Sequence, residues 1–192
     1  MMILCKQLGI IIMVLTRLKY KGKYRIASDR LKDWDYGAAG DYFVTICTKS
    51  RIPWLGEIRH DQFVASQAGE IAVQELTRIS QIHPRIDIDS WVVMPNHVHA
   101  IIVINAPEED VETPQRDVST NRNWRPGALG VIINQYKSSC TKHIRALGCK
   151  DFTWQASYYD HIIRNEKSLD IIRRYIMENP LRWDEDEYFG GR

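Results

Sequence analysis

The chain has 192 residues with a formal charge of +2 and a sequence pI near 8.3, enough for one domain with a real core and too mildly basic to demand nucleic acid by itself. Four cysteines, Cys5, Cys47, Cys140 and Cys149, show no C-x-x-C spacing, which argues against a zinc knuckle or disulfide framework and for reduced thiols in the cytoplasm. Six Trp and nine Tyr are generous for this length and suit packing or base stacking.

In chain order, Ile3-Leu4 and Leu8–Leu15 have the look of a short apolar leader. Lys6 interrupts it, and the basic run Thr16–Lys23 follows instead of a cleavage site. The run is too short to cross a bilayer, so no membrane partner is expected. Residues 1–23 are read as an N-terminal extension or basic arm, with Met13 a candidate start. The domain proper is expected over 24–183.

Tyr42–Thr48 is β-rich and predicts a strand, with a short second strand expected between Ile52 and Arg59. Ser66 is placed to cap a helix carrying Ile71, Leu76, Ile79 and Ile82 at helical spacing, which Pro84 stops. Two apolar strands follow, Asp87–Val93 and His97–Ile104, separated at Met94-Pro95-Asn96. Pro95 cannot donate a ladder hydrogen bond, so the break belongs there. Residues 105–126 are rich in Pro, Asn, Thr, Asp and Glu and form a long loop; a loop of that length in a compact domain implies function or disorder. A helix is predicted over Gly127–Ala146, a strand within Phe152–Ile163, and a last helix over Asn165–Asn179, ended by Pro180. An acidic tail occupies 184–192. This order predicts an α+β fold, a ferredoxin-like antiparallel sheet with helices packed on one face.

Chemistry concentrates at His97-Val98-His99. Strand side chains alternate, so the two imidazoles share a face and make a pre-aligned pair of metal ligands. The last helix offers a complement. Tyr175 and Asn179 stand about 40° apart on one helical face beside the apolar residues Leu169, Ile172 and Ile176. A phenol near a hard cation can attack phosphorus, and the Asn179 amide can supply a third ligand. Tyr136, Tyr158 and Tyr159 compete with Tyr175 for the nucleophile's role. Lys137, Lys142, Arg145, Arg164, Arg173 and Arg174 are candidate contacts to a nucleic-acid backbone, as are Lys19, Lys21, Lys23 and Arg25 of the arm.

Four blocks in order carry a resemblance. Trp91–His99 resembles the His-hydrophobic-His signature of the HUH single-tyrosine transposases. Gln135–Lys142 is similar to a helix segment of that family. Trp154–Arg164 followed by Arg174–Pro180 resembles its REP-associated tyrosine transposase branch, and Tyr42–Thr48 matches its first strand. The resemblance spans about residues 24–183. It implies that His97 and His99 bind Mg²⁺ or Mn²⁺, with Asn179 completing the shell. It implies that Tyr175 attacks single-stranded DNA beside a hairpin, leaving a 5′-phosphotyrosine link and a free 3′-hydroxyl. The implied partner is single-stranded or hairpin DNA, bound by a monomer or homodimer. The alternative is a catalytically idle hairpin-binding protein of the same fold.

Overall fold

A computed structural model describes residues 34–107, 127–185 and Tyr188. The expected N-terminal arm, most of the 105–126 loop and most of the acidic tail lie outside these residues. The unit from Asp35 onward contains every element below. They are β1 (Gly40–Cys47), β2 (Gly56–Arg59), β3 (Gln62–Ala65), α1 (Gln67–Thr77), α2 (Ile79–Ile82), β4 (Ile86–Met94), β5 (His97–Ile104), α3 (Leu129–Ala146), β6 (Tyr159–Ile163) and α4 (Glu166–Glu178). Strands β4, β5, β1 and β6 form one antiparallel sheet in that order, and β2 pairs with β3 in a separate hairpin.

The fold class is the expected one. β5 sits inside the sheet, with β1 on one side and β4 on the other. Its register aligns His97 with Cys47 and Met94, and His99 with Thr45 and Val92. Residues paired across strands share a face, so Phe43, Thr45, Cys47, His97, His99 and Ile101 all look the same way. α4 lies on that face: Leu169, Ile172 and Ile176 pack against Phe43, Ile101 and Ile163. The other face carries Tyr42, Val44, Ile46, Val98, Ala100 and Ile102, all fully buried. The buried apolar residues of α1 and α3, Ala72, Leu76, Ile132 and Ile133 among them, stand outside the cluster under α4; the helices therefore divide between the two faces, with α4 on the histidine side, and do not all pack on one face as the sequence implies.

Local chemistry explains the ends. Ser66 Oγ accepts from the Gly69 N–H at 3.1 Å and opens α1; Asn165 accepts from the Ser168 N–H at 2.9 Å and opens α4. Gly69 has to be glycine, because a Cβ there would lie 1.9 Å from the Leu55 carbonyl oxygen. The strand expected within Phe152–Ile163 is confined to Tyr159–Ile163. Upstream, Lys137 Nζ donates to the Gln155 and Ser157 carbonyls, each at 2.9 Å, and these residues form a loop instead of a ladder. No helix among the described residues is long and apolar enough to cross a membrane.

Candidate active site

His97 and His99 are buried, with ring centroids 4.4 Å apart. Asn96 orients the first. Its Nδ2 donates to the Arg51 carbonyl at 3.1 Å and the Tyr188 carbonyl at 2.7 Å. That fixes which end of the amide is nitrogen and turns Oδ1 toward His97 Nδ1, 2.8 Å away. An amide oxygen only accepts, so Nδ1 carries the proton. The Nε2 of the neutral ring therefore keeps its lone pair, and that atom is buried with the Asn179 side chain beside it. His97 is held neutral: burial pushes its pKa well below the usual value, His99 and then Arg51 push the same way, and only the Asn179 side chain opposes them.

His99 is held on both nitrogens. Thr45 Oγ1 lies 2.9 Å from Nδ1, and the Tyr175 hydroxyl lies 3.2 Å from Nε2. The Phe43 ring stacks on it at 5.3 Å. Burial lowers its pKa to about 3. A base that weak takes a phenol's proton poorly, since phenol sits near about 10. A neutral imidazole with such a pKa is instead suited to hold the tyrosine or to ligate a cation, and one nitrogen cannot do both at once.

Tyr175 is half-buried on α4, its ring edge-on to Phe43 at 6.1 Å. Asn179 is buried at the end of the same helix and acts on the His97 ring. The two strand residues and the two helix residues singled out in the sequence thus converge. Tyr159 stands on the same sheet face, paired with Thr45, its ring 6.4 Å from Phe43. Tyr136 is packed away with its hydroxyl donating to the Ala72 carbonyl at 3.2 Å, and Tyr158 sits by Lys137.

The same geometry bears on a divalent cation. A buried acceptor without a donor is costly, and an ion is one way to satisfy it. His97 Nε2 is a buried lone pair with the Asn179 amide beside it, and His99 offers a second nitrogen once its Nε2 releases the Tyr175 hydroxyl, so the donor set fits. Among the described residues no three His, Cys, Asp or Glu side chains gather.

The basic candidates fall into two groups on different elements. Lys142 and Arg145 lie on the exposed side of α3, though Arg145 Nε also donates to the Phe152 carbonyl at 3.0 Å. Arg164 and Arg174 are exposed beside α4. Arg173 is engaged by Asp89 through two bonds of 2.8 and 2.7 Å. Lys137 is buried, its ammonium committed to carbonyls and its pKa lowered to about 8 by that burial.

Residue-by-residue reasoning missed Asn96, Thr45, Arg51, Trp183 and Tyr188. The Trp183 and Tyr188 rings stand 6.0 and 4.6 Å from the His97 ring, and Arg51 lies 4.8 Å over Tyr188. Only Asn96 left a signal, in the break before the histidine strand.

A histidine pair on an inner strand of a four-stranded antiparallel sheet, faced by a tyrosine from a helix, is the arrangement implied by the resemblance to single-tyrosine transposases. No family model matches the chain. An uncharacterised protein of Haemophilus influenzae is 33% identical over 178 residues, covering 88% of this chain and 95% of that one. The REP-associated tyrosine transposase of Escherichia coli is 24% identical over 147 residues, covering 77% of this chain and 70% of that protein. A solved REP-associated tyrosine transposase, bound to a REP hairpin, superposes with a TM-score of 0.55 at 22% identity over 82% of this chain and 74% of that one. The likeness, in sequence and in fold, is to the REP-associated tyrosine transposases. The chain belongs to one family with the Haemophilus influenzae protein.

Proposed function

We propose that this protein cleaves single-stranded DNA beside a hairpin and transfers the strand through Tyr175. The observation that carries the reading is the Tyr175 hydroxyl 3.2 Å from His99 Nε2, on the face that also holds His97. The name of the Escherichia coli relative and the hairpin bound in the structural neighbour support it.

In the proposed step the Tyr175 oxygen bonds to phosphorus and the P–O3′ bond breaks. The 5′ side stays on tyrosine, and the 3′-oxygen leaves as a hydroxyl with the proton that the phenol gives up to solvent. The reverse attack by a 3′-hydroxyl restores a phosphodiester. Phe43 packs edge-on against the phenol ring, so part of the orienting entropy is met before DNA arrives. Asn96 keeps the His97 lone pair aimed away from the turn. His97, His99 and Asn179 would hold Mg²⁺ or Mn²⁺, with two imidazoles favouring Mn²⁺. Such an ion, when bound, offsets charge on the non-bridging phosphate oxygens.

The idle hairpin-binding alternative draws support from one feature: Trp183 and Tyr188 pack against the histidine pair. Labelled hairpin oligonucleotides with single-stranded flanks, incubated with Mn²⁺ or Mg²⁺ and run on a denaturing gel, separate the readings. A protein-sized labelled band, absent from Tyr175→Phe, is expected. A band that persists in Tyr175→Phe moves the nucleophile to Tyr159. Hairpin retention without any cleavage supports the idle binder.

A further inference from the structure

We propose that the cleft beside Asn96 takes one unpaired nucleobase of the DNA strand, adjacent to the phosphate under attack. The cleft has a volume of about 540 Å³ and is lined by Ser50, Arg51, Glu57, Pro95, Asn96 and Trp183, among others. That size lies inside the range of about 300–1,000 Å³ usual for small-molecule sites. It adjoins the histidine pair, because Asn96 both lines the cleft and holds His97, and the Trp183 ring is 6.0 Å from His97. This inference rests on the DNA strand-transfer reading and adds a specificity site to it.

The wall is shaped at a conformational cost. Ser50 and Arg51 both have left-handed φ, 57° and 54°, although neither is glycine. Two such residues in succession persist only where surroundings hold them, and they cluster at ligand-binding places. Gly56, which also lines the cleft, has φ 152°, and a Cβ there would lie 2.3 Å from the Val64 carbonyl oxygen.

The chemistry selects a base rather than a phosphate. Trp183 and Pro95 offer flat apolar surface for a heteroaromatic ring. Glu57, ion-paired with Arg59 through one carboxylate oxygen, keeps a second that can accept from an exocyclic amino group. The Asn96 amide is already used by Arg51, Tyr188 and His97. It therefore transmits instead of reading: whatever shifts the Arg51 backbone shifts the group that orients His97.

The test uses the full chain and a hairpin oligonucleotide with single-stranded flanks, carrying 2-aminopurine at successive flanking positions. One position should be strongly quenched on binding. Trp183→Ala should abolish that quench and weaken binding by about tenfold to a hundredfold, while Trp183→Phe, which keeps a ring, should retain both. An abasic site at the same position should cost the wild-type protein as much and Trp183→Ala nothing more. Bound DNA with no quenched position, or additive losses from the abasic site and Trp183→Ala, overturns the proposal. The readout needs no cleavage. A missing Tyr175 adduct would therefore sink strand transfer while leaving the quench to be judged by itself.

Discussion

Asn96 decides which nitrogen of His97 faces the site, and it does so with three bonds at once. Asn96→Ala strips a donor from two carbonyls and an acceptor from a buried ring. Chemical denaturation should show a loss of about 1–3 kcal/mol. Asn96→Asp, which keeps the acceptor alone, should also be destabilised and bind Mn²⁺ differently from wild type. The histidines make a pH prediction for the metal-free protein. Both are held neutral when folded, His99 with a pKa of about 3, whereas the unfolded chain takes up protons below about 6.5. Their contribution to stability is therefore complete above about pH 6.5 and is lost as pH falls toward 3. Thermal melts from pH 7.5 to 4.5 should decline, and His99→Asn should decline less steeply; parallel curves would contradict the burial argument. At this scale the sequence was informative because strand alternation alone puts His97 and His99 on one face. It was silent on Trp183 and Tyr188, whose places depend on how the chain runs after α4.

α4 carries Tyr175, the proposed nucleophile, and its apolar side is a short list of residues. Ile172→Ala should cost about 2–5 kcal/mol, and Asn165→Ala about 0.5–2 kcal/mol through the lost cap, both measurable by denaturant midpoint. The Asp89–Arg173 fork is different in kind. It is solvent-exposed and joins α4 to β4 two residues before Tyr175. Asp89→Ala should barely change the melting temperature, because exposed pairs contribute little. It should slow adduct formation by letting the helix turn, so a rate equal to wild type would refute a positioning role. Helical spacing disclosed the Tyr175–Asn179 face in advance. The hairpin of β2 and β3 was read as one short strand, since its turn residues His60 and Asp61 adopt positive φ without a glycine to announce it. The strand expected from Phe152 was too long because the pairing there shrinks to a single bridge, Thr48 with Trp154, and Lys137 takes the Gln155 and Ser157 carbonyls.

For the whole molecule, a charge of +2 leaves DNA binding to local clusters rather than to a global field. Replacing Lys142, Arg164 or Arg174 by Ala should each lower the slope of log affinity against log salt by about 0.7 if the side chain meets a single-strand phosphate. Lys137→Ala should instead lower stability, because its ammonium is already committed to the protein. An unchanged slope for all three exposed residues would move the binding surface elsewhere. The antiparallel sheet and its order of elements were legible from periodicity. The division of helices between faces was not, because an apolar strand buried on both sides gives no hint of which helix lies where.

The inner position of β5 has one more consequence. Its amides are bonded on both edges, to β1 and to β4, while α4 is attached through one apolar side, a surface ion pair and the side-chain contacts of Tyr175 and Asn179 with the histidines. In deuterated water the backbone of His97 and His99 should be among the last to exchange, and that of Tyr175 should exchange earlier, in a cooperative opening of the helix. The strand half of the site, with His97 and His99, and the helix half, with Tyr175, would then belong to different units of native-state opening, with the proposed nucleophile on the less protected one.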